Sequence, residues 1–139
     1  MKKFKFLIVF MCIISIYVVG CSNDTKDWEQ SIKVQKRIGD KYYYEDFKEI
    51  TDNKLVNKAK EIIIDVDWEN AKVQMVRPPD YRFSFPNPEA EVVLYEFWVS
   101  PKKDKLELGI YSQNKYAQLD KNKSAELFEI LTGEKLSEL

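Results

Sequence analysis

The chain has 139 residues, 22 basic and 23 acidic side chains for a formal net charge of −1, and no histidine. Without imidazole there is no Ser-His-Asp or Cys-His nucleophilic system, no His-ligated zinc and no general base of the commonest near-neutral kind. Nucleic acid is excluded as an expected partner, because no basic stripe is present to neutralise phosphates. The chain opens with Lys2, Lys3 and Lys5, followed by fourteen uncharged apolar residues from Phe6 to Val19. A membrane-spanning helix needs about 20 apolar residues, so residues 1–20 are expected to be a cleaved leader and not a permanent anchor.

An ordinary secretory leader ends in small residues of the Ala-x-Ala kind, whereas here Val18-Val19-Gly20 runs directly into Cys21. This junction resembles the lipobox of bacterial lipoproteins, with Val18 where Leu is usual and Val19 where Ala or Ser is usual. The resemblance implies cleavage between Gly20 and Cys21, a diacylglyceryl thioether on Cys21, and attachment to the outer face of the cell membrane. A thiol suits that role because its thiolate is populated and strongly nucleophilic. Two acyl chains make a stable tether where one is marginal. Cys12 lies mid-run, where a thiol behaves as a small hydrophobe, and leaves with the leader. Residues 21–29 comprise the lipidated Cys21 and a polar spacer without apolar periodicity. Cleavage leaves 119 residues and, with three lysines gone, a net charge of −4. That length supports one domain with a modest core, over residues 30–139.

Within that domain, Ile32 and Val34 alternate with Lys33, Gln35 and Arg37 in a strand that Gly39-Asp40 ends. Tyr42-Tyr43-Tyr44 with Phe47 is aromatic and short, consistent with extended chain. Leu55, Val56, Ala59, Ile62 and Ile63 form the apolar stripe of a helix that Thr51 or Asp52 caps, and Trp68 closes the segment over the core. Ala71 to Arg77 alternates through Val73 and Met75, predicting a strand that Pro78-Pro79 stops for want of amide hydrogens. Tyr81, Phe83 and Phe85 share one face of the next strand. Val92 to Val99 is apolar on both faces apart from Glu96, predicting a central strand. Leu106, Leu108 and Ile110 alternate in its hairpin partner. Tyr116 to Leu119 leads to a second helix with Leu127, Phe128 and Leu131 buried, Asp120 or Asn122 as cap, and Gly133 in the left-handed position at its end. The fold class is therefore α+β, an antiparallel β-sheet packed by two helices and preceded by a cleaved signal peptide.

The segment Arg77-Pro78-Pro79-Asp80-Tyr81-Arg82-Phe83-Ser84-Phe85, with Tyr95-Glu96-Phe97-Trp98, Tyr116 and Leu131-Thr132-Gly133, resembles the YhfM-like bacterial lipoproteins. That resemblance implies a location and a domain, and no reaction. Read from the residues, Arg77, Asp80, Tyr81, Arg82, Glu96 and Trp98 are the candidate binding residues, since Trp, Tyr and Arg dominate interface energetics. The plainer alternative is a strand-to-strand corner with Asp80 as turn cap and the aromatics as core. Glu96, an acid in the most apolar strand, either meets a partner such as Arg77, Arg82 or a lysine from a neighbouring strand or marks a patch of sheet open to water.

No cofactor or metal is expected. Asp65-Val66-Asp67 lacks the Gly and further ligands of a calcium loop. The leading expectation is a non-enzymatic binding or accessory module, tethered by lipid on Cys21 and recognising an envelope protein, peptide or glycan. The alternatives are a carboxylate-dependent glycan hydrolase using Glu96 with Glu107, at about 5–10 Å separation, and a regulator or inhibitor of a membrane enzyme.

Overall fold

The computed structural model describes residues 30–139. The leader, the Gly20-Cys21 junction and the spacer lie outside the described residues. The elements in chain order are β1 (Ile32–Arg37), β2 (Tyr44–Ile50), α1 (Asn53–Ile64), β3 (Glu69–Asn70), β4 (Tyr81–Ser84), β5 (Leu94–Val99), β6 (Leu106–Ile110), β7 (Lys115–Gln118) and α2 (Lys121–Thr132), with a 3₁₀ turn over Leu136–Glu138. The strands form one antiparallel sheet in the order β2-β1-β4-β5-β6-β7-β3. The α+β class holds, and β5 occupies the middle of the sheet as its apolar sequence requires. Among the described residues no helix is long and apolar enough to cross a membrane.

Both helices lie against one face. Asp52 starts α1 by accepting the amides of Lys54 and Leu55, at 2.9 and 3.3 Å, and Val56, Ala59, Ile62 and Ile63 are buried. Leu55, expected in that stripe, is instead exposed in the first turn of the helix. Asp120 caps α2 through the Lys123 amide, and Gly133 ends it at φ 76°. The apolar residues of α1 and α2 join Ile32, Val34, Tyr81, Phe83, Phe97, Leu106 and Leu108 in one core. At its centre Tyr81 stacks on Phe97 with centroids 4.9 Å apart, and Phe128 of α2 meets both rings edge-on. Ser124, fully buried in α2, accepts the Leu106 amide at 2.9 Å and donates to the Leu119 carbonyl, tying helix to sheet. The sheet's edges resist further pairing: β2 carries Glu45, Asp46, Lys48 and Glu49, and β3 is two residues long.

Two expectations are corrected. The strand predicted over Ala71–Arg77 is not formed. After Asn70 pairs with Lys115, the Ala71 amide bonds Asn114 and the chain leaves the sheet edge to run over the face opposite the helices. There Val73 and Val76 point to solvent, so their alternation marks no ladder. The second correction adds a strand: Lys115–Gln118 is β7, paired along β6. It has one buried residue, Ala117, too weak a pattern to separate from a helix approach.

Candidate functional site

Strand alternation places Tyr81 and Phe83 toward the helices and Arg82 and Ser84 away from them. On the outer face the sheet register aligns Gln35 with Arg82, Arg82 with Glu96 and Glu96 with Gly109. Arg82 donates from Nε to Glu96 Oε1 at 3.1 Å and from Nη2 at 3.0 Å. Its guanidinium lies 4.0 Å from the Tyr44 ring centroid and 5.5 Å from that of Tyr111. Glu96 thus finds an arginine partner. Burial still raises its carboxyl above the ordinary range, against the lowering effect of Arg82.

That imbalance has a testable consequence. A carboxyl with a raised folded-state pKa favours folding when protonated, so stability falls as pH rises from about 4.5 through the raised value. Glu96→Gln is expected to remove this slope and to leave stability at neutral pH equal or higher. Arg82→Met strands an ionised Glu96 and is expected to cost about 2 kcal/mol. Denaturant unfolding at several pH values reads both; equal losses in the two variants would contradict the asymmetry.

Trp98 is buried on the same outer face. Its Nε1 donates to the Arg77 carbonyl at 2.9 Å, and its ring fills the space beside Gly109, where a Cβ would sit 3.3 Å from the ring. The chain over residues 71–77 covers it. Glu107 accepts the Tyr116 hydroxyl at 2.7 Å, and burial, together with that carboxylate, pushes the Tyr116 phenol up to about 12. The small cleft of about 140 Å³ that Glu96 lines does not include Glu107.

The other half of the candidate set gathers at the end of the sheet where β1 and β5 finish. Pro78-Pro79 gives the corner no amide hydrogens, and β4 pairing with β5 ends at Tyr81 and Phe97, leaving the Val99 amide beyond the ladder. Asp80 supplies the missing acceptor: its Oδ2 takes the Val99 amide at 2.8 Å. Its Oδ1 accepts Arg37 Nη2 at 3.2 Å and also accepts Arg77 Nη1. Arg77 Nη2 donates to the Val99 carbonyl at 2.7 Å, and the Tyr44 hydroxyl to the Pro79 carbonyl at 2.7 Å. Asp80 is therefore both the corner's cap and the hub of an arginine pair.

Beside this hub opens a cleft of about 470 Å³, whose charged lining is Lys36, Arg37, Arg77, Asp80 and Lys103. Tyr81 contributes to its floor, though its ring is largely buried. The six candidates are thus divided. Arg77, Asp80 and Tyr81 line the cleft; Arg82, Glu96 and Trp98 lie on the outer sheet face, enclosed by neighbouring side chains. Lys36, Arg37 and Lys103 are additions. Their only sequence signal is being basic residues at strand ends and in a turn.

No curated protein matches the chain in sequence. Among solved structures it is similar to the crystal structure of a thioesterase-like protein from Clostridium sporogenes, with a TM-score of 0.55 and 19% identity over 73% of this chain and 92% of that one. At that identity the likeness is one of fold. The family described as YhfM protein matches residues 25–137, nearly the whole of the folded domain and part of the segment before it. The chain belongs to the YhfM protein family.

Proposed function

We propose that this chain is a lipid-anchored, non-enzymatic binding module on the outer face of the cell membrane, recognising an envelope component through the basic cleft at the end of its sheet. The observation that carries this reading is the cleft itself, where four cationic side chains face one acidic side chain, Asp80, with Leu139 beside Lys103, in a chain of net negative charge. Such a local reversal of sign focuses potential on a ligand. Support for the address is the Gly20-Cys21 junction after a fourteen-residue apolar run. The fold shared with a thioesterase-like protein supplies no reaction, since chemistry resides in sites and not in folds. Glu96 and Glu107, the acids considered for glycan hydrolysis, are each engaged, by Arg82 and Tyr116.

The test combines attachment and recognition. Cys21→Ala is expected to move the protein from the membrane fraction to precursor or soluble fractions, and a processed, membrane-bound variant contradicts lipidation. Crosslinking of intact cells through a photoreactive residue at Lys103 should capture an envelope component that is lost when Arg77 is replaced by Ala. Capture unchanged by that substitution contradicts recognition through the cleft.

A further inference from the structure

We propose that the cleft binds a phosphate group, carried by a lipid headgroup or by a ligand free of the bilayer. The comparison of lipids below rests on the attachment at Cys21 argued above; the choice of phosphate does not. A planar carboxylate is matched by an in-plane guanidinium fork, whereas here Arg37 and Arg77 are turned to Asp80, each giving one nitrogen to its Oδ1, and the second Nη of Arg77 goes to the Val99 carbonyl. What remains is a set of cations approaching from different elements. Lys36 of β1 makes no ion pair among the described residues, and its Nζ rests 5.4 and 5.8 Å from the Phe47 and Tyr81 ring centroids. Lys103, in the β5–β6 turn, gives one hydrogen to an oxygen of Leu139, the last residue of the chain, which also lines the cleft. Arg37 contributes its Nη2 alone to Asp80. Dispersed point charges with unused donors suit a tetrahedral anion that offers oxygens in several directions, and the cleft has the volume of a small-molecule site.

The direction of the strands places the cleft. From Cys21 the chain reaches the sheet at Ile32, and β1 runs from there to Arg37. At about 3.3 Å per residue this carries Arg37 roughly 16 Å from the point of entry. Arg77, Asp80 and the Ser100–Lys103 turn lie at that far end, through the pairing of Lys36 with Tyr81 and Tyr81 with Phe97. The nine residues from Cys21 to Glu29 can reach roughly 30 Å at about 3.3 Å each, so a lipid headgroup and a ligand free of the bilayer are both within reach of the cleft.

The processed full-length protein, in nanodiscs of a neutral, phosphate-free glycolipid or of phosphatidylglycerol, is titrated with inorganic phosphate at fixed ionic strength, and the methyl resonances of Val99, which lines the cleft, are followed. A saturable shift is expected, with affinity lowered about ten-fold or more in the Lys36→Gln, Lys103→Gln double variant and unchanged by Lys54→Gln with Lys72→Gln. Both double variants alter side chains outside the core, and an unchanged melting temperature verifies their fold. A shift that does not saturate, that chloride reproduces, or that the Lys36, Lys103 variant retains overturns the proposal. Equal affinity in the two lipids assigns the phosphate to a ligand free of the bilayer, and weakening of more than about three-fold in phosphatidylglycerol assigns it to headgroups. Failure of the Cys21 experiment leaves the phosphate titration standing, and failure of the titration leaves the anchor standing.

Discussion

Truncation of Phe97 to alanine is expected to lower the unfolding free energy by about 4 kcal/mol. The ring is fully buried in the central strand, stacked on Tyr81 at 4.9 Å, edge-on to Phe128 at 6.3 Å and tilted against Phe83 at 6.1 Å. Its removal leaves a void that neither the ladder nor α2 can close, because both backbones are held by their own hydrogen bonds. A domain of this size is stable by about 5–15 kcal/mol, so the variant gives up from about a quarter to most of that margin. Its melting temperature should fall by roughly 15–20 °C. Tyr43→Ala, at a side chain 68% exposed, should change stability by less than about 0.5 kcal/mol. Thermal unfolding of both variants measures the difference, and similar melting temperatures would sink this account of the core.

Replacing Asp80 by alanine is expected to cost about 3 kcal/mol. Three donors lose their acceptor together: the Val99 amide, Arg37 and Arg77. The two guanidinium groups then face one another without a counter-charge. Asp80→Asn retains an oxygen for Val99 and should cost less, about 1–2 kcal/mol, because the charge is lost but the amide acceptor is kept. The same substitution makes the cleft more positive, so stability and ligand affinity should move in opposite directions: a less stable protein that holds phosphate more tightly. Denaturant unfolding together with the phosphate titration tests this, and a loss of both in a folded Asp80→Asn variant would show that Asp80 shapes the site more than it competes for it.

Parts of this protein were legible from residues alone because they depend on neighbours close in sequence. The helix after Asp52 follows from a cap and an apolar stripe within one dozen residues, and the β5–β6 hairpin from two alternating runs across a polar turn. A cationic partner for Glu96 was one of two readings its own strand allowed, the other being a patch of sheet open to water, and Arg82 is that partner. Other parts were not legible. Val73 and Met75 alternate as a strand does, yet no ladder receives them. The edge they would extend is left at Asn70, and Trp98 beneath is covered by this segment instead. Lys115–Gln118 offers one buried residue to the eye and becomes a strand only because β6 is beside it.

The candidate site shows the same division. Arg77, Asp80 and Tyr81 stood out as a stiff, aromatic corner, but Arg37 lies 43 residues from Asp80 in the chain and meets it only because β1 inserts between β2 and β4. Composition, periodicity and caps by themselves determined the imidazole-free chemistry, the α+β class and the position of most elements, since these express short-range hydrogen bonding and burial. Strand order and register, set by the best joint burial of the sheet's helix-facing side, decided the rest. They brought Lys36, Arg37, Arg77 and Lys103 around Asp80 and enclosed Arg82, Glu96 and Trp98 on the opposite face.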